Sequence, residues 1–210
     1  MIDAFEGMRK PRILIPDNTP LSLLAMVGPK ALDWLFTPGA EVWVTDMVRE
    51  EALRDPDYDD DQRIRRRRDI ADWLARNADR IHIQATDEGK EYHKAMEAWR
   101  RVPGQPLELR PAWKGRGERS ILQVLDSVED LVAEGEAVVV IVDDRRARAA
   151  VRTLENVDID VVSTEAYLAW ISVRFDVKEA ATAWRAIRMA TDDKAPPAPT
   201  EDPEHLCKIR

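Results

Sequence analysis

Ala137-Val138-Val139-Val140-Ile141-Val142, followed at once by Asp143-Asp144, is the stretch that decides the fold class. Six apolar residues without alternation describe a strand buried on both faces, which is the position of a central strand in a parallel sheet. Working outward, Arg12-Ile13-Leu14-Ile15 before Pro16-Asp17 reads as a second buried strand, and Glu41-Val42-Trp43-Val44, Ile81-His82-Ile83 and Ile159–Val162 as three more. Helical spacing of apolar side chains fills the intervals. It predicts helices at Leu21–Val27, Ala31–Phe36, from an N-cap at Thr45 through Ala52, and at about Asp60–Asn77 and Asp87–Arg101. Further helices are expected at Glu118–Ala133, Asp144–Leu154, Thr164–Val173 and Lys178–Met189. Val102 to Gly117 holds three prolines and three glycines and reads as a loop. Strands alternating with helices imply an α/β sheet, mostly parallel, with its ligand crevice beyond the carboxyl ends of the strands.

The chain has 210 residues and a mass of 24.0 kDa, room for one ordinary domain. An apolar share of 44% excludes global disorder. With 32 basic against 40 acidic residues the net charge is -8, so contact with nucleic acid requires a local basic patch rather than bulk charge. No apolar run approaches the roughly 18 residues of a membrane span, and Met1 to Arg12 lacks the apolar core of a signal peptide. A single cysteine, Cys207, excludes an internal disulfide framework and a cysteine-based metal site. These features set a cytoplasmic, non-membrane protein as the expectation.

Carboxylates recur where the fold places its crevice. Asp17 follows the first strand. Glu51 lies about a turn and a half into the helix after the second. Glu118 opens a helix after Gly115-Arg116-Gly117, and Asp143 and Asp144 end the most apolar strand. One acid at a strand end reads as a helix cap; several converging need another account. Two carboxylates roughly 5–6 Å apart repel by about 3 kcal/mol at an effective dielectric near 20, so such a cluster needs a proton or a cation. An all-oxygen set suits Mg²⁺ or Mn²⁺, ions that align water for attack on a phosphodiester.

Asp17-Asn18-Thr19-Pro20-Leu21, Val48-Arg49-Glu50-Glu51, Gly115-Arg116-Gly117-Glu118 and Val142-Asp143-Asp144-Arg145 resemble, in order, the four signatures of PIN-domain ribonucleases. The nearest resemblance is to the prokaryotic branch grouped with VapC-like toxins of type II toxin–antitoxin pairs. Val161-Val162-Ser163-Thr164 resembles the strand and hydroxyl residues that close the domain. The resemblance implies a PIN-like three-layer sandwich, with a central parallel sheet of about five strands flanked by helices. It also implies metal-dependent endoribonuclease activity. Residues 1–190 are then a single nuclease domain with a helical insertion at about 55–116, and residues 191–210 a flexible Pro-rich tail. Carried over by position, Asp17, Glu51, Glu118 and Asp144 are the catalytic acids. Asp17, Glu118, Asp144 and its neighbour Asp143 hold Mg²⁺ or Mn²⁺, and Thr19 and Thr164 are hydroxyls that position a carboxylate or water. Arg145, Arg116 and Lys114 are candidate phosphate contacts. The implied partners are RNA, an antitoxin and, for the oligomer, a second copy in a homodimer. Asn18 stands where the family usually has Thr, and the span from Arg54 to Trp113 is much longer than in compact toxins.

The five arginines within Arg63–Arg68 read either as an RNA-backbone patch or as a solvated helix face balancing the five aspartates of Asp55–Asp61. The tryptophans read as core, with Trp113 in its Gly/Pro loop the exception that could stack a base. His82 and His93 read as structural. A receiver domain is excluded because its acidic pair follows the first strand, and a haloacid-dehalogenase phosphatase because Asn18-Thr19 follows Asp17. The competing reading is a non-catalytic PIN-like module that binds RNA or protein.

Overall fold

The computed structural model describes residues 10–55, 61–128, 131–152 and 159–191. The Pro-rich tail beyond Thr191, Cys207, most of the Asp55–Asp61 run and the expected helix end at Leu154 lie outside them. The elements in chain order are β1 (Lys10–Pro16), α1 (Asn18–Val27), a 3-10 helix (Pro29–Phe36), β2 (Glu41–Thr45), α2 (Asp46–Ala52), α3 (Asp61–Arg76), β3 (Ile81–Gln84) and α4 (Asp87–Arg100). A 3-10 turn (Leu107–Leu109), α5 (Arg116–Leu125), β4 (Glu136–Ile141), α6 (Arg145–Arg152), β5 (Ile159–Val162), α7 (Thr164–Arg174) and α8 (Lys178–Thr191) complete them.

The five strands form one all-parallel sheet in the order β3-β2-β1-β4-β5, flanked by helices in the expected α/β three-layer arrangement. The chain winds outward from β1 through β2 to β3, then returns to the other side of β1 with β4 and β5. The winding therefore reverses between β1 and β4, and the crevice of such a sheet opens at their carboxyl ends. The run that decided the fold class behaves as its composition requires: Ala137 to Val142 are all buried, and β4 pairs with β1 and with β5.

Two expectations change. The helix expected to reach Ala133 stops at Leu125. The chain turns through Asp126 and Ser127, where the Ser127 hydroxyl donates to the Val124 carbonyl, a bond that competes with helix continuation. Leu131, which continues the apolar spacing of Val124 and Val128 in that expected helix, is half exposed. The 55–116 insertion is also not purely helical, because it supplies β3, which pairs with β2 in the sheet.

This segment is tied firmly to the rest. Asp46, the first residue of α2, accepts from the Thr86 backbone N–H at 2.9 Å and hydroxyl at 2.7 Å, at the start of α4. Gly89 makes this approach possible, since a Cβ there would lie 2.0 Å from an Asp46 carboxylate oxygen. Trp73 of α3 is fully buried and donates its indole N–H to Asp33.

Candidate functional site

Asp17 sits at the reversal point. Its backbone N–H continues the β1–β4 ladder to the Ile141 carbonyl at 3.0 Å, and its ψ of 174° is the extended geometry of an N-cap. Its side chain nevertheless makes no capping bond to α1. The carboxylate instead shares its surroundings with other acids and is only 9% exposed. Burial pushes its pKa from an ordinary 3.8 up to about 7. The Asn18 backbone N–H opposes that rise, and the charges of Glu51, Glu118 and Asp143 add to it. Those three acids come from α2, from the first turn of α5 and from the end of β4.

Glu51 is raised by burial too. The Asn18 side-chain amide, 3.1 Å from Glu51 Oε1, lowers it, Glu118 raises it and Arg54 lowers it. Gly117 is what lets these groups meet. A Cβ at this position would lie 3.1 Å from Glu51 Oε2 and 3.6 Å from Asp17 Oδ1. Any larger residue would occupy the space between the carboxylates.

A buried hydroxyl chain fixes the α5 N-terminus beside α2. The Ser120 hydroxyl donates to the Gly117 carbonyl at 2.6 Å, which uses its one proton. The Thr45 hydroxyl, 2.6 Å away, must then donate to Ser120, while its oxygen accepts the Val48 N–H as the expected N-cap of α2. Glu88 of α4 holds the same end of α5 from outside. It accepts from both Arg116 (2.5 Å) and Arg119 (2.8 and 3.1 Å), and its pKa lies below the usual carboxylate value, first because of the Arg119 hydrogen bond.

The adjacent acids Asp143 and Asp144 are separated by their bonding. Asp143 accepts from the Thr164 backbone N–H at 2.9 Å and from its fully buried hydroxyl, and its charge acts on Asp17. Asp144 is exposed and caps α6, accepting from Arg146 N–H at 2.7 Å and Ala147 N–H at 3.0 Å; those bonds hold its pKa low. The structure therefore brings together Asp17, Glu51, Glu118 and Asp143, with Thr164 behind Asp143. Asp144 is not among them, because a residue that caps a helix turns its carboxylate onto the helix's own N–H groups.

Three other expected contacts are placed differently. Thr19 is exposed in the first turn of α1, and Asn18, one residue earlier, contacts the acids in its stead. Arg116 is engaged by Glu88 and by the Ala112 carbonyl, and lies over the Tyr92 ring, so it does not reach toward a phosphate. Trp113 has the Arg54 guanidinium 4.5 Å from its ring centroid and packs against the Met47, Tyr92 and Met96 cluster, which leaves it a poor stacking platform. Lys114 and Arg145 are exposed. Sequence reasoning missed Asn18, Glu88, Arg119 and Ser120. Only Asn18 carried a signal, as the departure within its own motif.

The donor set is all oxygen, the chemistry of Mg²⁺ or Mn²⁺, and the Gly117 cradle keeps the space between Asp17 and Glu51 open. Among the described residues no three acidic, imidazole or thiol side chains are already gathered at metal-ligand spacing. The charges of Glu51, Glu118 and Asp143 all act on Asp17, and that of Glu118 acts on Glu51, without forming a closed coordination shell. Comparison with protein-family models, curated proteins and solved structures gives no significant match.

Proposed function

We propose that this protein is a divalent-metal-dependent endoribonuclease of the PIN type, working at the crevice between β1 and β4. One observation carries the reading: Asp17 is buried at the reversal point with the charges of three further carboxylates acting on it, in contrast to Glu88, which two guanidinium groups hold. A chain does not assemble such a group at no cost unless a cation or proton completes it.

Asp17, Glu51, Glu118 and Asp143 would hold the metal, and its chemistry when bound is Lewis acidity toward the phosphodiester and acidification of water. The chain's own residues do the positioning. Thr164 fixes both oxygens of Asp143, and the Asn18 amide orients Glu51. Asp17, with a pKa near 7, gives up its proton at neutral pH when a positive charge arrives. The expected activity is Mg²⁺- or Mn²⁺-dependent cleavage of RNA, abolished by EDTA and reduced about a hundredfold or more by Asp17→Asn or Asp143→Asn. RNA turnover that persists in EDTA, or none with any divalent metal across many RNAs, contradicts it.

The toxin role rests on the resemblance alone. It implies harm to the host on overexpression and a partner whose arginine fork meets the carboxylates; harmless overexpression with no co-purifying partner removes that role. The non-catalytic module is favoured by one specific observation, that among the described residues no three acids are gathered at metal spacing. It predicts RNA or protein binding that divalent metals leave unchanged.

A further inference from the structure

A cavity of about 300 Å³ opens beside the acidic crevice, with Asn18 and Glu51 on one side and Arg63, Arg66 and Arg67 of α3 on the other. Residues spaced by three and four share a helix face, so these arginines and the buried Ile70 line one side of α3. Arg65 and Arg68 point the other way and are exposed. Arg67 tethers the face to the site: its Nε–H donates to the Leu53 carbonyl at the end of α2 at 2.6 Å, and NH1 meets Asp55 at 3.0 Å. Glu51, in the last turn of α2, lies two residues before Leu53, which caps that helix. The tether therefore sets the arginine row at a fixed offset from the carboxylates.

We propose that Arg63 and Arg66 form a phosphate subsite that holds the RNA strand next to the phosphodiester at the acids. The inference rests on the ribonuclease reading for the identity of the strand. Two features favour a strand over an isolated ion. Acids and arginines share the walls of one cavity, and the protein is acidic overall, so basic side chains gathered on one helix face make a local footprint. Guanidinium forks match phosphate oxygens in geometry as well as charge.

The test measures binding of a fluorescein-labelled single-stranded RNA of about twelve nucleotides in EDTA, where cleavage plays no part, across a range of salt. R63E/R66E is compared with R65E/R68E, which makes the same charge change on the opposite face of the same helix; melting temperatures check that both fold, and R66K serves if R63E/R66E does not. The expected result is that R63E/R66E binds about tenfold or more weakly with a salt slope shallower by roughly 1–2, while R65E/R68E stays within about threefold of the parent. R66K alone should keep the salt slope and lose a few-fold in affinity, because an ammonium cannot make the fork. Equal losses in the two double variants, or no loss in R63E/R66E, overturn the subsite. Competition by adenosine monophosphate as effective as by RNA reassigns the cavity to a free nucleotide and also overturns it. A parent that binds RNA through Arg63 and Arg66 but never cleaves it leaves the subsite standing and removes the nuclease.

Discussion

Asp17 and Glu88 are two carboxylates with the same exposure, 9%, and opposite surroundings. Glu88 is covered by the guanidinium groups of Arg116 and Arg119, which bond it and keep it ionised. Asp17 has no such clamp among the described residues: burial first, and then the charges of Glu51, Glu118 and Asp143, push it toward the neutral form. At Glu88 the chain supplies its own countercharge; at Asp17, in the proposed function, a bound cation would supply it. One is a structural clamp. The other has the electrostatics of a site.

Glu88→Ala should give the largest effect. It leaves two arginines facing each other at the α4–α5 junction, and breaking a buried pair costs about 3–5 kcal/mol. Arg119 is half exposed, so solvent screening reduces this to roughly 2–3 kcal/mol, a fall of about 4–12 °C in Tm. Calorimetry at neutral pH checks it. A change under about 1 °C breaks the comparison at its structural end.

Asp17→Asn should act the other way. Folded, Asp17 keeps its proton to about pH 7; unfolded, it loses it near 3.8. Between those values the folded chain binds more protons, so this group's contribution is fully present below about pH 4 and is lost as pH rises through about 7. The full difference corresponds to roughly 4 kcal/mol, and relaxation of the cluster should leave about 1–3 kcal/mol. Metal-free Asp17→Asn should therefore melt roughly 2–12 °C above the parent near pH 8 and converge with it near pH 4. Glu88, held below its ordinary 4.5, has the opposite slope: its contribution is present above that value and lost as pH falls. Urea melts across this range sharpen the contrast.

Thr164→Val should cost about 1–2 kcal/mol in urea denaturation, because it removes a buried donor from Asp143. The smallest effect belongs to Asp144→Asn. Asn caps nearly as well as Asp, so stability should stay within about 0.5 kcal/mol and RNA cleavage within about threefold. Cleavage that falls as far in Asp144→Asn as in Asp143→Asn would transfer the role back to the exposed residue.

The sheet was legible because its signal is local. Ala137–Val142 carry their burial in composition, and Asp17 and Asp143 follow from where β1 and β4 end. What escaped depends on pairs distant in sequence. Glu88 bonds residues 28 and 31 positions away, and Ser120 meets Thr45 across 75. No spacing rule reports such contacts. Asp143 and Asp144 could not be separated because adjacent residues share every local signal, and only the first turn of α6 decides which one turns inward. The extent of α5 was overestimated for a related reason: apolar periodicity continued through Leu131 and Val132 while Ser127 had already closed the helix.

The central claim is that Asp17 sits in a site completed by an external cation. It is tested most directly by Tm of the parent and of Asp17→Asn near pH 8, in EDTA and in Mn²⁺. Metal that binds only the folded chain at about a hundredfold excess over its Kd adds about 2.7 kcal/mol, or roughly 5–11 °C for a domain of this size. The account predicts that gain in the parent and little of it in the variant, which starts higher in EDTA. A parent that melts at the same temperature with and without Mn²⁺, or a variant that gains as much as the parent, contradicts it.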